Sequence, residues 1–316
     1  MVEACASPCG GPFRSRPRTY QGTQSKTLTV GWDKLGTRVA TGGADASGGT
    51  AIIWRTTETH CQRESTLKGH KQGVEHLCWD PNNANMLCTV SGDASVRLWD
   101  VRSRAAVHNL TISGKNRNVA WRPDSSAMAV SNDKDVISFI DVKTFKVVDK
   151  LNRGKAVNEM TWDKTGEMFL VTTGTGIVEV MSYPELGTPI NQLKAHMSSA
   201  CCIAVDSTGQ HFATGGTDAL VSLWDAESFC CLNSFAKLDS PVKSLGFDHC
   251  GKYLAYTSED CVLSFVEVAT GALVHEEVTK SPLQHLAWSP TRPAIAYVGD
   301  VEKGKEVLSI YKLEAS

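Results

Sequence analysis

No apolar run in this 316-residue chain approaches the ~18–20 residues of a membrane-crossing helix. The opening stretch MVEACASPCGGPFRSRPR lacks the apolar centre of a secretory signal, so no membrane role is expected. Charge of one sign is also scarce. The formal net charge of −2 gives no bulk attraction to nucleic acid or to an anionic surface. No C-x-x-C occurs beside a second ligand pair, which argues against zinc. The eleven cysteines are odd in number and scattered. Cys201-Cys202 and Cys230-Cys231 are adjacent, Cys5 and Cys9 lie near the start, and Cys78 and Cys88 sit inside apolar strand patterns. They read as reduced thiols of a cytosolic or nuclear protein. Neither a nucleophile elbow nor a phosphate loop is present. The Gly-rich segment GGADASGGT (42–50) joins two strand patterns and does not open a helix, as a phosphate cradle would. The nine histidines are dispersed. An enzyme would need a cluster that only the folded chain assembles. The expectation is therefore no catalytic residue, cofactor, metal or small-molecule substrate.

What is present is a repeat. The stretches TAIIWR, SVRLWD, VISFID, IVEVMS, LVSLWD, VLSFVE and VLSIYK stack on Trp54, Trp99, Ile140, Met181, Trp224, Val266 and Tyr311, with spacings of 41 to 45 residues. That period belongs to a four-stranded blade. A second row of bulky residues lies upstream: Trp32, Trp79, Trp121, Trp162, Val205, Phe247 and Trp288. The residue before each is small (Gly31, Cys78, Ala120, Thr161, Ala204, Gly246, Ala287), and the one before that is apolar (Val30, Leu77, Val119, Met160, Ile203, Leu245, Leu286). Alternation of this kind marks a strand covered on both faces, one of them closely. This is the inner strand of a blade in a ring. The expected fold is all-β, a seven-bladed propeller over residues 13–316, preceded by a disordered segment 1–12. The seventh unit stops after its third strand. A free edge would expose unpaired backbone groups, so residues 13–22 are expected to supply the seventh blade's outer strand and close the ring. Pro17 is tolerable on an outermost strand.

The repeat resembles the WD-repeat β-propeller family, and the resemblance implies a structural role for its polar residues. The second unit has His70, Ser91, Asp93 and Trp99 in the order of the buried network that ties such a blade together. The fifth has His196, Asp218 and Trp224, with Gly216 at the serine position. Other turns keep only an aspartate, such as Asp45 and Asp260.

Two contact surfaces are expected. Four residues before the first bulky row stand Leu28, Glu75, Arg117, Asn158, Cys201, Lys243 and Gln284. They share the parity of the core face, yet most are polar. Glu75, Arg117, Asn158, Lys243 and Gln284 are therefore expected to ring the mouth of the channel and meet a protein partner, the alternative being that they only solvate it. The basic arm Arg14, Arg16, Arg18 and Lys26 is weakly suited to RNA phosphates and better suited to being a solvated, protected strand edge.

A narrower resemblance rests on FIDVKT (139–144), SYPEL (182–186), FATGGTDALVSLWD (212–225), WDPNNANMLCTVSGDASVRLWDVR (79–102) and SPLQHLAWSPTRPAIAY. These are similar to the WD-repeat subunits of the THO assembly. That resemblance implies a nuclear, non-enzymatic scaffold subunit of the transcription–export (TREX) machinery. It would dock on large helical THO subunits in messenger RNA processing and transport. A different class is also implied. WDVR (99–102) resembles the Trp-Asp-x-Arg box by which some WD-repeat proteins dock on cullin–RING ubiquitin ligase adaptors, which would make Arg102 a contact residue.

Overall fold

The computed structural model describes residues 17–21, 26–57, 60–152, 154–299 and 307–312. Among them lie 28 strands and no helix. The strands form seven four-stranded antiparallel sheets. Each sheet is a blade, and its first strand is the innermost: β2 (Lys26–Trp32), β6 (Val74–Trp79), β10 (Asn116–Trp121), β14 (Val157–Trp162), β18 (Ala200–Val205), β22 (Val242–Phe247) and β26 (Leu283–Trp288).

The last blade is completed from the other end of the chain. The strand β1 (Arg18–Gln21) pairs antiparallel with β28 (Val307–Lys312), Arg18 opposite Ile310 and Tyr20 opposite Leu308. The expected closure is thus observed over residues 18–21. Residues 1–16, with Arg14, Arg16 and the segment called disordered, lie outside the described residues.

The core is a set of interfaces between neighbouring blades. Between the first and second, Ala40 and Ile53 meet Leu77, Trp79, Leu87 and Trp99. All seven residues of the third-strand row are buried. Of the inner row only Val205 is half-exposed. The small residue of each inner strand is small because the next blade leans on it. A β-carbon on Gly31 would lie 3.0 Å from Leu77 Cδ1, and one on Gly246 would lie 3.3 Å from Leu286 Cδ1.

The inner-row tryptophans do more than fill space. Each indole N–H donates to the carbonyl of that small residue in the preceding blade. Trp79 Nε1 reaches Gly31 O at 3.1 Å and Trp121 reaches Cys78 O at 3.1 Å. Trp162 reaches Ala120 O at 3.4 Å, Trp288 reaches Gly246 O at 2.9 Å, and Trp32 reaches Ala287 O across the closure at 3.0 Å. Each bond satisfies a buried donor while fixing one blade against the next.

Candidate functional site

Each inner strand starts on the face that carries the loops from one blade's outer strand to the next blade's inner strand. Here the ladders share an irregularity. Val74 pairs with Ser91 and His76 with Val90, so Glu75 has no residue opposite. The same extra residue is Leu28, Arg117, Asn158, Cys201, Lys243 and Gln284. Every position expected at the mouth is the residue of a β-bulge. This corrects the parity argument: a bulge takes one residue out of the alternation, so these side chains were never in core phase.

Glu75, Arg117 and Lys243 are exposed, and Asn158 and Gln284 half-buried. Burial raises the Glu75 carboxyl above its usual range, while Lys26, Arg117 and Lys115 nearby pull it back. Lys243 pairs with Glu259 at 2.6 Å. Asn158 Nδ2 donates to Ser199 Oγ at 2.7 Å and to Ala200 O at 2.6 Å, bridging to the next blade.

At several blades the residue after the bulge turns sideways and bonds the neighbouring inner strand. Ile203 N–H donates to Glu159 Oε2 at 2.8 Å, Val119 N–H to His76 Nδ1 at 3.4 Å and Leu286 N–H to Ser244 Oγ at 3.2 Å. His285 Nδ1 lies 3.1 Å from Val30 O. The dispersed histidines thereby include a pair that the ring brings together. His76 and His285 meet edge to face with centroids 5.3 Å apart, although they stand 209 residues apart in the chain.

The polar network of the second blade is assembled, but through a different hydroxyl. His70 Nδ1 lies 3.3 Å from Asp93 Oδ2 and 2.8 Å from Ser95 Oγ. His70 Nε2 meets Thr89 Oγ1 at 2.7 Å, and Trp99 Nε1–H donates to that same oxygen at 2.8 Å. Ser91 does not touch the indole or imidazole; it donates to Gln72 O and accepts the Asp93 N–H. In the fifth blade Thr214 Oγ1 receives Trp224 Nε1–H at 3.1 Å and meets His196 Nε2 at 3.0 Å, while His196 Nδ1 lies 2.9 Å from Asp218. Gly216 therefore costs this blade nothing in the link. The first blade repeats the half-motif, Trp54 Nε1–H to Thr41 Oγ1 at 3.0 Å. Burial holds the His70 imidazole down at about 4 despite Asp93 beside it, so the ring is neutral at physiological pH. A neutral ring with both nitrogens engaged is fixed structure and not an available base.

Arg102 lies on the opposite face of the disc, in the turn after β8 (Ser95–Asp100). It is 67% exposed along its side chain, but its guanidinium folds back on Asp100 with Nη2–Oδ2 at 2.8 Å and Nε–Oδ1 at 3.2 Å. Asp100 also accepts the Arg102 N–H at 2.9 Å. Arg18 is exposed on β1, at the outer rim of the closing blade.

A ring of seven four-stranded blades, with a Trp-Thr-His-Asp relay in two of them, defines a WD-repeat β-propeller protein. The family described as "WD domain, G-beta repeat" matches residues 61–100 and 187–225, the second and fifth units. The chain aligns with THO complex subunit 3 of Arabidopsis thaliana at 40% identity over 298 residues, 93% of each chain. It therefore belongs to the THO complex subunit 3 family. WD repeat-containing protein AAC3 of Dictyostelium discoideum is 26% identical over 93% of this chain and 66% of its own length. Protein TEX1 of Saccharomyces cerevisiae is 23% identical over 64% of this chain and 51% of its own. The β-propeller domain of Cps50 (Swd1) from Myceliophteria thermophila superposes with a TM-score of 0.78 at 16% identity, over 92% of this chain and 98% of that one. That likeness speaks for the fold alone.

Proposed function

We propose that this chain is the non-catalytic WD-repeat subunit of a nuclear THO assembly, and that it acts as a docking disc in messenger RNA packaging, processing and export. The observation that carries the reading is the 40% identity to a THO complex subunit 3 across nearly the whole of both chains. The partners would be the large helical THO subunits, met through Glu75, Arg117, Asn158, Lys243 and Gln284 at the mouth. These side chains suit the role because the bulges turn them out of the packing. RNA contact is secondary in this reading, with Arg18 at the rim. Nothing in the geometry favours adaptor docking by Arg102, whose guanidinium is held by its own Asp100.

The test is affinity purification of the tagged chain from nuclear extract, with and without nuclease, read by mass spectrometry. Wild type, Arg117→Glu/Lys243→Glu and Arg102→Ala are run in parallel. Nuclease-resistant recovery of large helical THO subunits, lost with the double charge reversal and kept with Arg102→Ala, supports the proposal. THO recovery unchanged by the double variant would leave the mouth residues as solvating groups. A cullin adaptor that vanishes with Arg102→Ala would overturn the assignment.

A further inference from the structure

The channel below the mouth holds a convergence of metal-ligating groups that the docking role does not use. His76, Glu159 and His285 come from the second, fourth and seventh blades, and a donor atom of each lies within 4.8 Å of the other two. We propose that these three residues form a binding site for a divalent transition-metal ion, of which Zn²⁺ is the reference, stapling three non-adjacent blades across the channel.

The donor set fits. Two imidazoles and one carboxylate make a three-ligand nitrogen/oxygen site with a position left for water, a combination that zinc takes readily. Metal–ligand bonds of about 2.0–2.2 Å put tetrahedral ligand atoms roughly 3.3 Å apart. The present spread of up to 4.8 Å is wider, so an ion must draw the side chains together by about 1.5 Å. Each ligand is also oriented from behind. Glu159 Oε2 accepts the Ile203 N–H at 2.8 Å, which leaves Oε1. His285 Nδ1 lies 3.1 Å from the Val30 carbonyl and 3.3 Å from the Val30 N–H; in the tautomer that donates to the carbonyl the Nε2 lone pair is bare, and the N–H contact is given up. A backbone carbonyl behind a ligating imidazole is the usual outer support of such sites. His76 is held less suitably. Its Nδ1 accepts from the Val119 N–H at 3.4 Å, so a metal at Nε2 requires the ring to rotate and give up that long bond. The electrostatics agree. Burial pushes the Glu159 carboxyl up to about 7 and the His76 and His285 imidazoles down to about 3 and 4. Three groups short of counter-charge would gain a cation's field while both rings already present neutral nitrogen.

The site rests on different residues from the mouth, so it stands whether or not the docking assignment does. The test uses the full chain, stripped with chelator and titrated with Co²⁺ and Zn²⁺. One Co²⁺ per chain is expected, with weak visible d–d absorption and no thiolate charge-transfer band, which separates this site from the cysteines. Zn²⁺ should displace it and raise the melting temperature of the wild-type chain, because an ion that binds only the folded ring stabilises it. Glu159→Gln and His285→Asn should each weaken binding at least about tenfold, and His76→Asn less than either. Absence of stoichiometric binding, a thiolate band, or equal affinity in a His76→Asn/Glu159→Gln/His285→Asn chain would overturn the site. The cobalt spectrum and the wild-type melting shift need no variant, and read together they separate this site from Asp248, His249 and Cys250, whose thiolate would add a charge-transfer band, even where a substitution impairs folding.

Discussion

Replacing Thr89 by valine removes one oxygen and little volume, and it isolates the relay in the second blade. Thr89 is fully buried. Its hydroxyl accepts from Trp99 Nε1–H at 2.8 Å and meets His70 Nε2 at 2.7 Å. With His70 donating toward Asp93 through Nδ1, Nε2 accepts the hydroxyl proton, so the oxygen satisfies one buried donor and one buried acceptor. Valine leaves both orphaned, at about 1–3 kcal/mol each. A central figure of ~4 kcal/mol follows. At about 2 °C per kcal/mol for a chain of this size, that lowers the melting temperature by roughly 8 °C. The assay is calorimetry beside urea unfolding, with Ser91→Ala as comparator. Ser91 makes one bond to Gln72 O at 2.9 Å and accepts one from Asp93 N at 3.2 Å, so it should cost about 1 kcal/mol. Thr89→Ser should stay near wild type. Thr214→Val should reproduce the loss in the fifth blade, and the two should add because the blades share no partners. A Ser91→Ala loss equal to or larger than that of Thr89→Val would refute the reasoning.

The same relay makes the fold acid-sensitive. His70 sits at about 4 against an ordinary 6.5, so the unfolded chain takes up its proton first. Its contribution is complete above pH ~6.5 and is lost as pH falls from there to about 4. Asp93 is pushed up by burial but held at about 2 by bonds from Ser95 and the Lys71 N–H, so its contribution is lost lower still, from about 3.8 to 2. The urea midpoint should therefore fall between pH 6.5 and 4, and His70→Asn should flatten that slope by about one proton; an unchanged slope would count against a neutral buried His70. Deleting residues 1–22 removes β1 and uncovers the edge of β28, so it should lower the melting temperature of the whole ring in one cooperative step, whereas an unchanged melt would show that the closing strand contributes nothing.

Much of this fold could be read from two rows of side chains, because blade packing demands the same size at the same place seven times. Trp79 is large and Gly31 small for one reason: the first covers the second and donates to its carbonyl. The hydroxyl link was harder to see. Thr89 and Ser91 lie two apart on β7 (Met86–Ser91) and share a face, so only depth along the strand decides which one meets the indole. A signal was available. Each third-strand Trp has a threonine on the strand before it (Thr41, Thr89, Thr214), whereas Val130 and Tyr256 stand ten residues before the non-Trp anchors Ile140 and Val266. The bulges were legible as positions but not as bulges, since an extra residue at a strand's start leaves the later alternation intact. The convergence of His76, Glu159 and His285 was invisible, because it depends on which blades face one another across the channel.

The bulges also make substitution at one row cheap. A side chain left out of the ladder does not have to match the neighbouring blade, so exchanging Glu75 or Arg117 should disturb the ring less than filling Gly31 or truncating Trp79. The exposed bulge residues Glu75, Arg117 and Lys243 are thus points where the chemistry of one face can be varied while the blade packing stays as it is.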